Sequence, residues 1–186
     1  MATLESQSTR TLFDRQQDFL VKIWKNVANE FDAFDIETHI DSYNVKCSAT
    51  IETDQGAFVF SAIRSMKSSS SGLALCRSAY FEELLCTFEL DYARPSYSLE
   101  RRSFFKALFY RNLPRISYGR ASFLIDSHDP KEFMTILKST PKSVVRKLQY
   151  LRCKSGKGEC RTFVFPKSEK ELRSWFHLCM IMSRLK

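Results

Sequence analysis

The chain opens and closes with apolar residues at helical spacing. From about residue 11 to residue 34, apolar side chains recur every three or four positions, which predicts a long amphipathic helix with Trp24 on its buried side. Near the other end, Ser168 and Glu171 form a capping box ahead of an apolar stripe that includes Trp175. The pattern predicts an amphipathic helix near each end of the chain.

Between these helices the apolar period changes from 3.6 residues to two. The segment Val45–Ile51 alternates apolar and polar residues, and the turn-forming segment Thr53–Gly56 separates it from a second run, Ala57–Ile63. This arrangement predicts a β-hairpin. The four serines of Lys67–Gly72 predict a flexible loop, and the alternation in Leu84–Tyr92 predicts another strand.

The second half of the chain mixes both periods. Leu99–Leu113 places apolar residues on one stripe with Arg102 and Lys106 along its edge, which predicts a helix. After Pro114, Ile116–Ile125 is typical of a strand, with Gly119 as a possible bulge. The rest of the chain predicts a short helix over Lys131–Ser139, a helical start after Pro141, a strand over Leu148–Cys153, a turn over Lys154–Glu159 and a strand over Cys160–Phe165.

Together these elements predict a single α+β domain over residues 10–186, preceded by a disordered lead of residues 1–9. In that fold an N-terminal helix, an antiparallel sheet and a C-terminal amphipathic helix packed on the sheet share one core. A chain of 186 residues, 44% of them hydrophobic, is long enough to bury such a core.

The charge is divided unequally along the chain. Residues 1–93 carry 8 Lys and Arg against 14 Asp and Glu, a net charge of −6, whereas residues 94–186 carry 21 against 7, a net charge of +14. The two halves therefore attract each other, within one chain or head to tail between chains. The basic half also suits a polyanionic partner, although a solvated face without a ligand is the plain alternative.

Basic and aromatic residues alternate through the second half without any recognised nucleic-acid-binding motif. Because Lys and Arg neutralise phosphates, the leading hypothesis is a non-catalytic intracellular protein that binds nucleic acid, in particular RNA or a ribonucleoprotein. The predicted contact residues are Arg101, Arg102, Lys106, Arg111, Arg115, Arg120, Arg146, Lys147, Lys154 and Lys157.

The closing segment, residues 148–186, suggests a second hypothesis. A hairpin followed by a capped helix with Trp175 in its second turn resembles the closing section of a pleckstrin-homology domain. That resemblance implies a helix that plugs one end of a bent sheet, and a role at lipid headgroups. The alternative function is a structural or adaptor protein, pleckstrin-homology-like or viral matrix-type, that binds an anionic membrane surface and protein partners.

Candidate catalytic groups are few. Asp126, His128 and Asp129 stand together, but no histidine or cysteine lies at a metal-ligand spacing, so a turn is the favoured interpretation. The glycines of Lys154–Gly158 lack the phosphate-loop order and predict a basic hairpin tip. We expect neither a metal nor a cofactor, and no enzyme activity.

The six cysteines are interpreted as buried, inert thiols. Residues 1–8 show no apolar signal segment, and no run approaches 18 apolar residues. We therefore expect a cytoplasmic or nuclear protein without a transmembrane segment, in which thiols stay reduced.

Overall fold

The computed structural model describes residues 12–41, 44–66, 80–91, 96–103, 112–118, 121–127, 129–163 and 166–182. Several predictions concern residues outside these ranges, namely the disordered lead, the serine-rich loop, most of the helix predicted over residues 99–113, the bulge at Gly119 and the role of His128.

The described residues form four helices and nine strands. The helices are α1 (Leu12–Glu30), α2 (Pro130–Ser139), α3 (Lys142–Val145) and α4 (Glu169–Met182). The strands are β1 (Phe34–Ile40), β2 (Asn44–Thr53), β3 (Gly56–Met66), β4 (Tyr80–Leu90), β5 (Tyr97–Arg101), β6 (Arg115–Tyr118), β7 (Ala121–Asp126), β8 (Leu148–Lys154) and β9 (Lys157–Thr162). An N-terminal helix, an antiparallel sheet and a C-terminal helix are all present, and the fold is mostly sheet.

All nine strands belong to one sheet, in the order β1-β2-β3-β4-β9-β8-β5-β7-β6, and every neighbouring pair is antiparallel. The acidic half of the chain supplies one side of the sheet and the basic half the other. They meet where β4 pairs with β9, with Cys86 opposite Cys160.

The four helices cover one face of the sheet. Phe176 of α4 stacks on Phe60 of β3 with ring centroids 3.9 Å apart, and Trp24 of α1 meets Phe176 edge to face. Tyr97 of β5 contacts Phe133 of α2 and donates a hydrogen bond to the Met182 carbonyl at 2.7 Å. This burial of large aromatic side chains holds the helices on the sheet. No described element packs on the opposite face, which we call the helix-free face.

The predicted end of the first helix and the predicted start of the helix over residues 99–113 are both wrong. The first helix ends at Glu30, because Asp32 takes a left-handed conformation (φ 51°) and the chain enters β1, a strand that was not predicted. Tyr97–Arg101 is a strand rather than part of a helix. Leu99 is fully buried between Leu151 of β8 and Ile125 of β7, so sheet pairing prevails over local helical periodicity.

The single strand predicted over Ile116–Ile125 is instead two strands. β6 and β7 pair with each other, and Tyr118 stands opposite Ala121. The β2–β3 hairpin, the strand near Leu84, the helix over residues 131–139 and the capped C-terminal helix are confirmed.

Candidate anion-binding surfaces

The predicted contact cations do not lie together. Lys106, Arg111 and Arg120 are outside the described residues. Four others, Arg101, Arg102, Arg146 and Lys147, lie near the start of β8, whereas Lys154 ends β8 and Lys157 begins β9, on either side of the turn that joins these strands. Seven strand residues at about 3.3 Å each separate the two groups by roughly 20 Å.

Arg115 stands apart from both groups. It begins β6, the outermost strand, and pairs with Leu124 of β7, which in turn pairs with Glu100 of β5. Arg115 is therefore two strands away from β5, which carries Arg101, about 10 Å at the usual spacing of about 4.8 Å between strands, and three strands away from β8.

We call the first group, with its neighbours on α3 and α4, the basic end. It comprises Arg101, Arg102, Lys142, Arg146, Lys147, Lys167 and Lys170. Arg101 Nη1 donates a hydrogen bond to the Arg146 carbonyl at 3.1 Å, which ties the end of β5 to the residue that follows α3. The Arg102 and Arg146 side chains are exposed.

Lys147 is held within the molecule by an ion pair. Its Nζ lies 2.7 Å from Glu171 Oε2, and the two side chains are only 18% and 12% exposed. Burial raises the pKa of Glu171, but hydrogen bonds from Lys147 and from the Lys167 backbone N–H outweigh it and hold that pKa below its usual value. Glu171 therefore stays ionised, and the Lys147 charge is neutralised internally.

A cleft of about 180 Å³ lies between α3 and the start of α4. Its lining consists of Pro141, Ser143, Lys167, Ser168, Lys170, Glu171 and Ser174. From the sequence, Ser168 and Glu171 were interpreted only as a capping box, and the adjacent Lys167 and Lys170 were not predicted as contact residues. Two lysines beside a helix cap were the available signal for this site.

The second group lies at the β8–β9 turn. Ser155 (φ 51°) and Gly156 (φ 81°) form that turn, which confirms the predicted hairpin tip with a glycine at positive φ. Lys157 Nζ is 2.9 Å from Glu89 Oε1, and both side chains are largely exposed. Lys154 is exposed and forms no ion pair with another residue that the structure describes.

A charged cluster centred on Tyr150 lies beside this turn on the helix-free face. The guanidinium carbons of Arg152 and Arg161 lie 5.1 Å and 5.4 Å from the centroid of the Tyr150 ring. Arg152 Nη2 donates to Glu159 at 2.8 Å, and the Tyr150 hydroxyl donates to the same carboxylate. Burial is the main cause that raises the pKa of Tyr150 to about 12, and the hydrogen bond to Glu159 and the Glu159 charge also raise it. The cluster is largely neutralised, because the Glu159 carboxylate contacts both arginines.

A concave region of about 590 Å³ adjoins the cluster on the helix-free face. Its lining includes three cations, Arg152, Lys154 and Lys157, and two carboxylates, Glu89 and Glu159. Because the opposite charges nearly balance, this region attracts a polyanion less strongly than the basic end does.

The two halves of the chain pair their charges inside the molecule. Glu83 of the acidic half lies 3.5 Å from Arg161, and Glu89 contacts Lys157. On the helix-covered face, Arg173 of α4 donates two hydrogen bonds of 2.6 Å to Glu30 of α1. These ion pairs join the acidic half to the basic half within one chain, and they neutralise part of the basic half.

The candidate catalytic groups adopt structural roles where they are described. Asp129 Oδ1 accepts hydrogen bonds from the backbone N–H groups of Lys131 and Glu132, so it caps α2 as the turn interpretation requires. Five cysteines are buried free thiols, and burial raises the pKa of Cys47 to about 12. The described part of the chain contains no group of three side chains placed to hold a metal ion.

No helix among the described residues is both long enough and apolar enough to cross a membrane. Comparison with known proteins found no matching family model, no matching curated protein and no matching solved structure.

Proposed function

We propose that this protein is a non-catalytic binding protein whose basic end engages nucleic acid, RNA or a ribonucleoprotein, through phosphate contacts. One observation carries the proposal. Cations from three segments distant in sequence lie around α3 and the start of α4, where Lys167 and Lys170 line the cleft, and they form no ion pair with any residue in the described ranges. These cations are Arg101, Arg102, Lys142, Arg146, Lys167 and Lys170.

The contacts at the basic end connect these cations into one surface. Lys167 and Lys170 line the cleft together with Pro141 and Ser143, which flank Lys142. The α3 helix then leads to Arg146, whose carbonyl accepts from Arg101. The row extends beyond a single phosphate, as a nucleic-acid backbone requires, and arginine planes can also stack on exposed RNA bases.

The proposal predicts a strong dependence of affinity on salt. Each phosphate neutralised on a single strand contributes a slope of about −0.7 to log K against log salt concentration. Loss of two contacts should therefore make the slope less steep by about 1.4.

The test measures binding of a fluorescently labelled single-stranded RNA by anisotropy at several salt concentrations. We expect the variant Arg102→Glu with Arg146→Glu to lose affinity and to show the shallower slope. The matched control is Lys22→Glu with Lys25→Glu on α1, which makes the same change in net charge on exposed side chains. Affinity that is independent of salt, or lost equally in the control, would contradict the proposal.

An anionic membrane is the second candidate partner, as the resemblance to pleckstrin-homology domains implied. It would meet the same cations, so vesicles with acidic lipids are tested beside RNA. Vesicle binding that is lost in the Arg102→Glu, Arg146→Glu variant, without RNA binding by the wild-type protein, would favour the membrane function.

A further inference from the structure

The two edges of the sheet have opposite charge. Strand β1 carries Asp35 and Glu37 and no Lys or Arg. Strand β6 carries Arg115 and no Asp or Glu. The strand order places β1 and β6 at the two outer positions of the sheet. An acidic strand and a basic strand therefore form the opposite edges of the sheet.

Among the described residues, no ion pair joins β1 to β6. Eight strand-to-strand steps of about 4.8 Å separate them by roughly 38 Å along the sheet. Salt at physiological strength screens charges beyond about 8 Å. Their attraction can act at close range only between two copies of the chain.

In the described part of the chain, no strand pairs with the outer side of either edge. Within the described ranges β1 pairs only with β2, and β6 only with β7. Phe34 and Ile40 of β1 are 42% and 44% exposed. A bulge between Phe34 and Glu37 interrupts the start of β1 and leaves Glu37–Ile40 regular, four residues that match the four of β6. Such an edge adds another strand readily.

The topology selects the arrangement of the two copies. Eight successive antiparallel pairings make β1 and β6 run in the same direction. A two-fold axis normal to the sheet would pair β1 with β1 or β6 with β6, and would set like charges opposite each other. A head-to-tail arrangement sets β1 of one copy beside β6 of the next, so opposite charges meet across parallel strands.

One pair of side chains, Glu37 of β1 and Arg115 of β6, can be used to test this contact. Glu37 stands opposite Ser48, whose neighbours Cys47 and Ala49 are buried under the helices, so Glu37 lies on the helix-free face. Arg115 precedes Ile116, which is buried, and therefore lies on the same face. In a continued sheet these two residues come together.

We propose that the protein associates head to tail with a second copy of itself, the β6 edge of one copy pairing with the β1 edge of the next. Because this contact is heterologous, it propagates into an open series of oligomers or closes into a ring. The proposal does not depend on nucleic acid, since neither edge includes the α3–α4 cleft.

The test is sedimentation velocity of the full chain without nucleic acid, over a range of protein concentrations at low and at high salt. We expect oligomers that grow with concentration and dissociate at high salt. Glu37→Lys alone and Arg115→Glu alone should each be monomeric, because each variant sets two like charges opposite each other where residues 37 and 115 meet. An equimolar mixture of the two variants should associate again, since every contact then joins opposite charges.

Two control variants reverse exposed charges away from both edges. Glu52→Lys on β2 and Lys138→Glu on α2 should associate like the wild-type protein. A wild-type protein that stays monomeric at low salt, association that stops at a two-fold dimer, or a mixture that fails to associate would each overturn the proposal.

Discussion

Replacement of Lys147 by methionine tests whether a predicted contact cation serves the fold instead. Lys147→Met keeps most of the side-chain volume and removes only the charge that neutralises Glu171. Because both side chains are mostly buried, the Glu171 carboxylate would remain in a site of low polarity without its counter-ion. The hydrogen bond from the Lys167 backbone N–H, 2.7 Å long, would be its main remaining support.

The expected loss follows from the burial of the pair. Breaking a buried ion pair costs about 3–5 kcal/mol. We expect a value near the lower end, about 3 kcal/mol, because the Lys167 N–H remains. That loss corresponds to a change of roughly 160-fold in the unfolding equilibrium. The comparison variant is Lys157→Met, which breaks an exposed pair with Glu89 and should cost at most about 1 kcal/mol.

The assay is urea unfolding followed by circular dichroism for both variants and for Lys147→Met combined with Glu171→Gln. The double variant should regain most of the lost stability, because no charge is left buried. The lowered pKa of Glu171 stabilises the fold above the ordinary carboxyl pKa, and this contribution disappears as pH falls through the folded-state value. The difference between the wild-type protein and Lys147→Met should therefore narrow in acid. Equal losses for Lys147→Met and Lys157→Met would refute this reasoning.

Three further outcomes are expected. Phe60→Ala should lower the free energy of unfolding by about 3–5 kcal/mol in urea titrations, because the Phe60 ring is fully buried against Phe176. Phe19 is exposed, so Phe19→Ala should change that free energy by less than about 0.5 kcal/mol. Gly158→Ala should destabilise the fold by about 1–3 kcal/mol, because its new Cβ would overlap the Phe88 ring, and no change in the urea midpoint would contradict the packing described. The Tyr150 phenol, followed by NMR, should ionise only near pH 12. The stability that its raised pKa contributes is therefore present below pH 10 and is lost as pH rises towards 12. Ionisation near pH 10 would count against the Glu159 contact.

The sequence predicted those elements whose side-chain period agrees with their final environment. The alternation in Val45–Ile51 and the capping box at Ser168 stabilise local structures that the tertiary fold retains. Leu99 shows where this agreement fails. Its segment has helical periodicity, yet Leu99 lies between two strands that are distant in sequence, and local spacing carries no information on that pairing.

The basic character of the second half was also evident from the sequence, but the distribution of its cations over the surface was not. Lys147 and Lys157 look equivalent in the sequence. The fold buries the first against Glu171 and leaves the second exposed beside Glu89. Lys167 and Lys170 enter the candidate site only because α3 packs beside the start of α4.

By itself, the sequence determined the two terminal helices, the central hairpin and the division into an acidic and a basic half, because local periodicity and composition fix these properties. Only the tertiary structure decided the order of the nine strands, the separation of the predicted cations into distinct surfaces, and the position of β1 and β6 at opposite edges. Those outcomes depend on contacts between residues far apart in the chain, and the free energy of such contacts is set by the whole core rather than by any local pattern.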